Sequence, residues 1–475
     1  MNRVLSVTSE CAPLVKTGGL ADVAGALPAA LAPTGWEMRT LLPGYPIVMK
    51  AIKPGKPVLK IADLFGGPAS VHHAKAKGLD LYVLDAPHLY ERDGAPYNDA
   101  DGKDWPDNPE RFAALGDVAA RIAADGAGDW RPDLVHAHDW QAGLAPYFLH
   151  QRKIGVPSIL TIHNIAFQGI APVEYITRLG LDRADFNESG YEFWGKISTL
   201  KAGLNFATRI TTVSPSYARE LLTEEYGMGL DGVLRARAED FSGILNGIDD
   251  VVWNPETDPH IASYKTPKGK RRAKAALRKE FDLPKSDGPL CVVVSRLSDQ
   301  KGLDLLLEAL PALVDRGGQL ALLGSGDKVL ESRFRAAAAA HPFISVKFGY
   351  DEGLSHRMIA GADAILVPSR FEPCGLTQLY GLRYGTVPIV AYTGGLIDTV
   401  IAATPMALRM NVATGLSFHP TTSDALARAL LQAVQLFADP PTWEKLQKNG
   451  MRQPVGWEAS AIEYARLYHE ATAAA

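Results

Sequence analysis

The sequence predicts an α/β protein made of two Rossmann-like domains, and three observations predict it. Short apolar runs suited to buried strands alternate with segments of helical spacing along nearly the whole chain. Its 475 residues exceed what one hydrophobic core organises, so two domains, or three at most, are expected. Thr17-Gly18-Gly19-Leu20-Ala21-Asp22 nearly recurs as Thr393-Gly394-Gly395-Leu396-Ile397-Asp398, both at strand-to-helix turns. The simplest picture has the two domains presenting these glycine loops to one central cleft. The first boundary falls near Gly247, where a strand-ending turn runs into a Pro- and Asp-rich segment.

Composition narrows the function classes. Apolar residues make up 47% and charged residues 21% of the chain, an ordinary globular balance. The net charge of −4 argues against nucleic acid or an acidic membrane as a main partner, since both demand a basic face. No run of about 18 apolar residues occurs, so no transmembrane helix is expected. The N-terminus enters a strand-like stretch without the regions of a signal peptide. Cys11, Cys291 and Cys374 are widely separated and lack metal-ligand spacing. A cytoplasmic chain without disulfides or a resident cofactor is expected.

In chain order, Val4 to Thr8 reads as a strand, Lys16 to Leu20 as a loop and 21–31 as a helix. Gly18 and Gly19 let the backbone approach a ligand closely, and Lys16 adds positive charge beside them. Asp22 lies in the first helical turn, where simple capping is the alternative reading. Residues 71–84 read as a hairpin, 90–108 as a long mobile surface loop, and 110–124 as a helix. The strand ending in His138-Asp139-Trp140, and the strand 159–162 that delivers His163 and Asn164, bring polar groups to one sheet edge. Open parallel sheets bind ligands at that edge. These histidines lack a zinc spacing, so hydrogen bonding and no metal are expected. Residues 167–200 form an insertion bearing Tyr191, Phe193 and Trp194. Aromatic faces stack on sugars, but core packing is the default there. Helix 200–208, strand 210–213 and helix 216–223 resume the alternation, and Asn246 stands at the turn before the boundary.

The second half opens with a basic helix, 265–278, read as a solvated face. Strand 290–294 leads to a loop carrying Arg296 and Lys301 before a helix over 303–313. Two cations there suit a diphosphate and its developing charge. After strands 320–323 and 344–348, the latter ending at Gly349-Tyr350, comes the stretch with the densest chemistry. Ser369 to Gly385 follows a short buried strand, 364–367, and Pro368 and Pro373 keep its start out of a helix. Gly375, Leu376 and Thr377 then fall at a helix N-terminus, an anion site suited to a diphosphate. Glu372 just upstream can hydrogen-bond sugar or ribose hydroxyls, and Cys374 has a small side chain beside the anion site. An ordinary strand-to-helix turn is the plain alternative.

Lys16-Thr17-Gly18-Gly19-Leu20-Ala21-Asp22-Val23 and Arg370-Phe371-Glu372-Pro373-Cys374-Gly375-Leu376-Thr377-Gln378-Leu379-Tyr380-Gly381 resemble motifs of the bacterial glycogen synthase and plant starch synthase family. The resemblance covers essentially the whole chain. It implies GT-B architecture and a retaining glucosyltransferase, with ADP-glucose as donor and the non-reducing end of an α-1,4-glucan as acceptor. It maps Lys16, Asp139, His163, Arg296, Lys301 and Glu372 onto active-site positions and Tyr350 beside the nucleotide base. It also implies an acceptor-side domain over 1–246, on which a C-terminal helix, 457–475, packs back, and a nucleotide-sugar domain over 247–456. One position departs from many retaining GT-B enzymes: the second glutamate, eight residues after the first, is here Tyr380, as in bacterial glycogen synthases. A nucleotide-sugar epimerase, a glucan phosphorylase and a catalytically silent glucan-binding protein remain the alternatives.

Overall fold

In a computed structural model that describes residues 1–99 and 101–473, the chain forms two compact α/β units. The first runs from Met1 to Asn246 and regains the chain from Trp457; the second spans Gly247 to Gly456. Part of the expected surface loop (residue 100) and the end of the expected last helix (474–475) lie outside the described residues.

The first unit holds a nine-stranded sheet. Its order is Phe241–Gly243, Arg209–Thr212, Ser158–Ile162, Leu134–His138, Asn2–Val7, Trp36–Pro43, Leu79–Asp85, Ala69–Ala76 and Pro57–Ile61. Ala69–Ala76 runs antiparallel to both of its neighbours, and the other described pairings in this sheet are parallel. The central strands are buried on both faces, which is why they read as continuous apolar runs and why even His136 and His138 are inaccessible. The final helix, Glu458–Ala473, seals one face: Trp457, Tyr464 and Tyr468 share a core with Val4, Val23, Leu27, Trp36 and Ile159. The Trp36 and Tyr468 rings meet edge-on at 5.2 Å.

The second unit is a six-stranded parallel sheet. Its order is Ile344–Phe348, Gln319–Gly324, Leu290–Val294, Ala364–Val367, Val387–Ala391 and Leu416–Phe418. Strand order reverses between Leu290–Val294 and Ala364–Val367, and in the first unit between Asn2–Val7 and Leu134–His138. A reversal of this kind opens a crevice at the carboxyl ends of the two strands.

Three expectations need correction. The basic helix spans Lys270–Glu280, and Lys270 is not solvated: its ammonium donates to Ala360 O at 2.7 Å, Tyr384 O at 3.0 Å and Thr386 Oγ1 at 2.7 Å. Burial pulls its pKa down to about 7. The expected mobile loop is tied down, with Arg92 paired to Asp107 at 2.8 Å and Arg111 donating to Pro96 O at 2.9 Å. Within the aromatic insertion Tyr191 is core, but Trp194 is 81% exposed.

Candidate active site

Polar residues gather at both crevices. In the second unit, Ser295 follows one strand of the reversal and Pro368-Ser369 follow the other. A pocket there is lined by Lys301, Ser369, Glu372, Gly375, Leu376 and Thr377 among others. Lys301 Nζ lies 2.6 Å from Glu372 Oε2, which also accepts from Ser369 Oγ at 2.8 Å. Both side chains of the ion pair are largely shielded from water. The helix Thr377–Tyr384 begins at the pocket, and the backbone amides of Gly375, Leu376 and Thr377 have no acceptor among the described residues. The pocket thus combines an ammonium, a carboxylate and unused amide donors, a set that can hold a phosphorylated sugar by both of its ends.

Close backbone packing holds this geometry. Gly302, left-handed at φ 61°, follows Lys301, and a Cβ there would stand 2.0 Å from Pro368 O. Only glycine lets the Lys301 loop lie against the strand end that leads to Glu372. On the other side, Gly395 donates to Glu372 O at 3.0 Å, and its Cβ would stand 2.5 Å from Cys374 Cα. Gly395 therefore braces the backbone of the Glu372–Cys374 loop. Cys374 is buried against that brace and does not line the pocket. Arg296 is exposed beside pocket-lining Ser295, and Tyr350 is 77% exposed.

In the first unit, Asp139 takes a left-handed backbone (φ 53°) at the end of its strand, an uncommon conformation for a non-glycine residue. That turn aims its carboxylate at the adjoining strand end, where Oδ1 accepts from His163 N at 2.6 Å and Asn164 N at 3.4 Å. Burial nonetheless raises the Asp139 pKa to about 7. His138 bridges Ser6 Oγ at 3.2 Å and His163 Nε2 at 3.0 Å, while His136 joins Tyr468 OH at 2.7 Å to Thr161 Oγ1 at 2.6 Å. Burial depresses all three imidazoles, His138 to about 3, so they are neutral hydrogen-bonding groups at pH 7.

The glycine loop here is organised by Glu10, a residue that sequence reasoning missed. Its carboxylate accepts from the Thr17 and Gly18 amides, from Thr17 Oγ1 at 2.5 Å and from Tyr97 OH. The available signal was an acid at the end of the first strand. Among the described residues no atom lies within 4 Å of a Cβ built on Gly18 or Gly19, so packing among them does not account for either glycine. Lys16 pairs with Asp22 at 2.7 Å on the exposed rim. Asn246 is buried, and its Oδ1 has no partner among the described residues. Among the described residues, no group of three or more His, Cys, Asp or Glu side chains could hold a metal ion.

Comparison with known proteins assigns these features to a class. Residues 3–236 match the family described as the starch synthase catalytic domain, and residues 276–453 match glycosyl transferases group 1. Together with two α/β units, this defines a glycosyltransferase of GT-B architecture. A glycogen synthase of Paracoccus denitrificans is 60% identical over 475 residues, all of both chains, and one of Jannaschia is 60% identical over 98% of this chain and 99% of its own. The catalytic domain of starch synthase IV from Arabidopsis thaliana, bound to ADP and acarbose, superposes with a TM-score of 0.89 at 30% identity over 99% of both chains. A sucrose-phosphate synthase of Thermosynechococcus elongatus shares the fold, with a TM-score of 0.62 at 21% identity over the full length of both chains. The chain belongs to the glycogen synthase family. Among the described residues no helix is long and apolar enough to cross a membrane.

Proposed function

We propose that this chain is a cytoplasmic enzyme transferring glucose from ADP-glucose to the non-reducing end of an α-1,4-glucan, with retention of configuration. The observation that carries this reading is the Lys301–Glu372 pair beside unused amides at the switch point of the second sheet. In this reading the second unit holds the nucleotide sugar. Leu376 and Thr377 amides, Lys301 and Arg296 take the diphosphate, Glu372 the glucosyl hydroxyls, and Tyr350 a position beside the base. In the first unit, Lys16 and the Gly18-Gly19 loop are further substrate-binding groups in this reading, together with Asp139, His163 and Asn164. No carboxylate is placed as a nucleophile, so the departing phosphate deprotonates the incoming hydroxyl.

Incubation with ADP-glucose or UDP-glucose and glycogen, following nucleotide release and chain extension, tests the reaction and the donor together. Glycogen binding without nucleotide release would overturn it. Because Lys16, Arg296 and Lys301 supply the countercharge to the leaving diphosphate, EDTA should leave transfer essentially intact. Activity lost to the chelator and restored by magnesium or manganese would overturn that account.

Cys374 makes a further prediction. A thiol near a helix start invites a nucleophilic role, but glycosyl transfer by covalent catalysis normally uses a carboxylate, and Cys374 is buried and is not among the residues lining the pocket. Cys374→Ala should retain substantial turnover. A variant that folds yet turns over at background would show that the thiol participates.

A further inference from the structure

We propose that the hairpin tip Phe193-Trp194-Gly195, with Met228 and Gly229 beside it, is a glucan-binding platform on the first unit, built from none of the residues that line the Lys301–Glu372 pocket. There, the apolar faces of successive sugar rings stack on the Trp194 indole. The ligand class rests on the function proposed above; the platform itself rests on two independent features of the first unit.

The first feature is backbone conformation. Strands Glu192–Phe193 and Lys196–Ser198 pair antiparallel, with Lys196 opposite Phe193, so Trp194 and Gly195 form a two-residue turn. Both have positive φ, 52° and 74°. A turn of this kind favours Asn-Gly, and a bulky aromatic residue in its first position is unfavourable. The second feature is exposure. Burial does not offset that conformation, because Trp194 is 81% exposed. A tryptophan held in an unfavourable backbone state, with its ring in water, is placed for something outside the chain.

The support beneath it is firm. Glu192 Oε1 accepts from Gly195 N at 2.7 Å, and buried Lys201 donates to Glu192 O at 2.6 Å. The Phe193 and Trp194 rings stand at 76° with centroids 6.2 Å apart. The Gly229 backbone lies against both rings: its Cβ would be 3.1 Å from Phe193 Cζ and 3.5 Å from Trp194 Nε1. Met228, also left-handed at φ 49°, is 40% exposed.

Size and position select the occupant. One indole offers roughly 200 Å², far below the approximately 800 Å² per partner of a stable protein interface, but enough to cover sugar rings. Gln168 Nε2 donates to Met228 O at 3.0 Å, and Phe167 N donates to Asn164 O at 3.2 Å. A five-residue segment therefore links the platform to the His163-Asn164 edge within the same unit. A glucan whose end lies at that edge has its remaining length within reach of Trp194.

Trp194→Asn is the decisive variant, because asparagine suits the left-handed turn position and folding is thereby kept; Trp194→Phe retains a ring. Calorimetry with glycogen and with maltoheptaose, without donor, should show affinity about three- to tenfold weaker for the asparagine variant and largely retained for phenylalanine. KM for glycogen should rise by a similar factor. Unchanged glycogen affinity in Trp194→Asn would overturn the platform. So would a variant whose only change, by sedimentation, is loss of self-association, which would assign the patch to a second copy of the chain. If the wild type released no nucleotide while Trp194→Asn still weakened glycogen binding, the reaction would fail and the platform would stand.

Discussion

Lys301→Ala should lower kcat by about two to three orders of magnitude, the usual cost of removing one preorganised donor from developing negative charge. Lys301 lies on the pocket wall 2.6 Å from Glu372, so it can meet a diphosphate and a sugar-binding carboxylate at once. As the glycosidic bond breaks, charge accumulates on the leaving phosphate, and the ammonium counts for more in that state than in the ground state. The loss should therefore fall on kcat and not only on KM. Removing the lysine also leaves Glu372 partly buried, with Ser369 Oγ as its remaining side-chain donor. Thermal stability must be measured alongside turnover, and Lys301→Ala combined with Glu372→Gln separates the orphaned charge from lost catalysis. An unchanged kcat with weaker donor binding would confine Lys301 to ground-state binding. Arg296→Ala should act in the same direction.

The second large effect is acid lability. His136, His138 and His163 are held neutral by burial, whereas in the unfolded chain they protonate near pH 6.5. Their contribution is complete above that pH and is lost as pH falls towards their depressed folded values. Asp139 works the other way. Its folded pKa of about 7 lies above the unfolded value near 3.9, so the folded state binds the extra proton between those limits and gains stability as pH falls. In the middle of that window three protons favour the unfolded state and one favours the folded. The net of two gives a loss on the order of 3 kcal/mol per pH unit. Urea unfolding from pH 4.5 to 5.5 measures that slope. Asp139→Asn keeps an oxygen acceptor for the His163 amide and should steepen the dependence by one proton. An identical slope in variant and wild type would show that Asp139 is ionised in the fold throughout.

Much of this was legible in the chain because parallel sheets announce themselves. Strands covered on both faces are continuous apolar runs, and the residues just past the end of each run lie at a ligand-binding edge. That logic pointed to Asp139, His163, Lys301 and Glu372, all of which the structure has in segments just past strand ends. It could not find Glu10, whose role depends on amides seven and eight residues away and on Tyr97 from a distant loop. It misread Lys270 for a related reason. A lysine in a basic helix looks solvated until non-local carbonyls, here those of Ala360 and Tyr384, are seen to surround it. Cys374 shows the limit at finer scale: it is buried beside Glu372 in sequence, yet it is not among the residues that line the pocket.

The return of the last helix to the first unit imposes an order on biosynthesis. A ribosome releases residues 1–246 long before Trp457, Tyr464 and Tyr468, which complete their core. The second unit, continuous from Gly247 to Gly456, is chemically whole before the first. Folding during synthesis therefore runs against the usual N-terminal-first order. The core of the first unit stays incomplete until residues 457–473 are made, and a chain cut before Trp457 is expected to lose packing in its first unit rather than in its second.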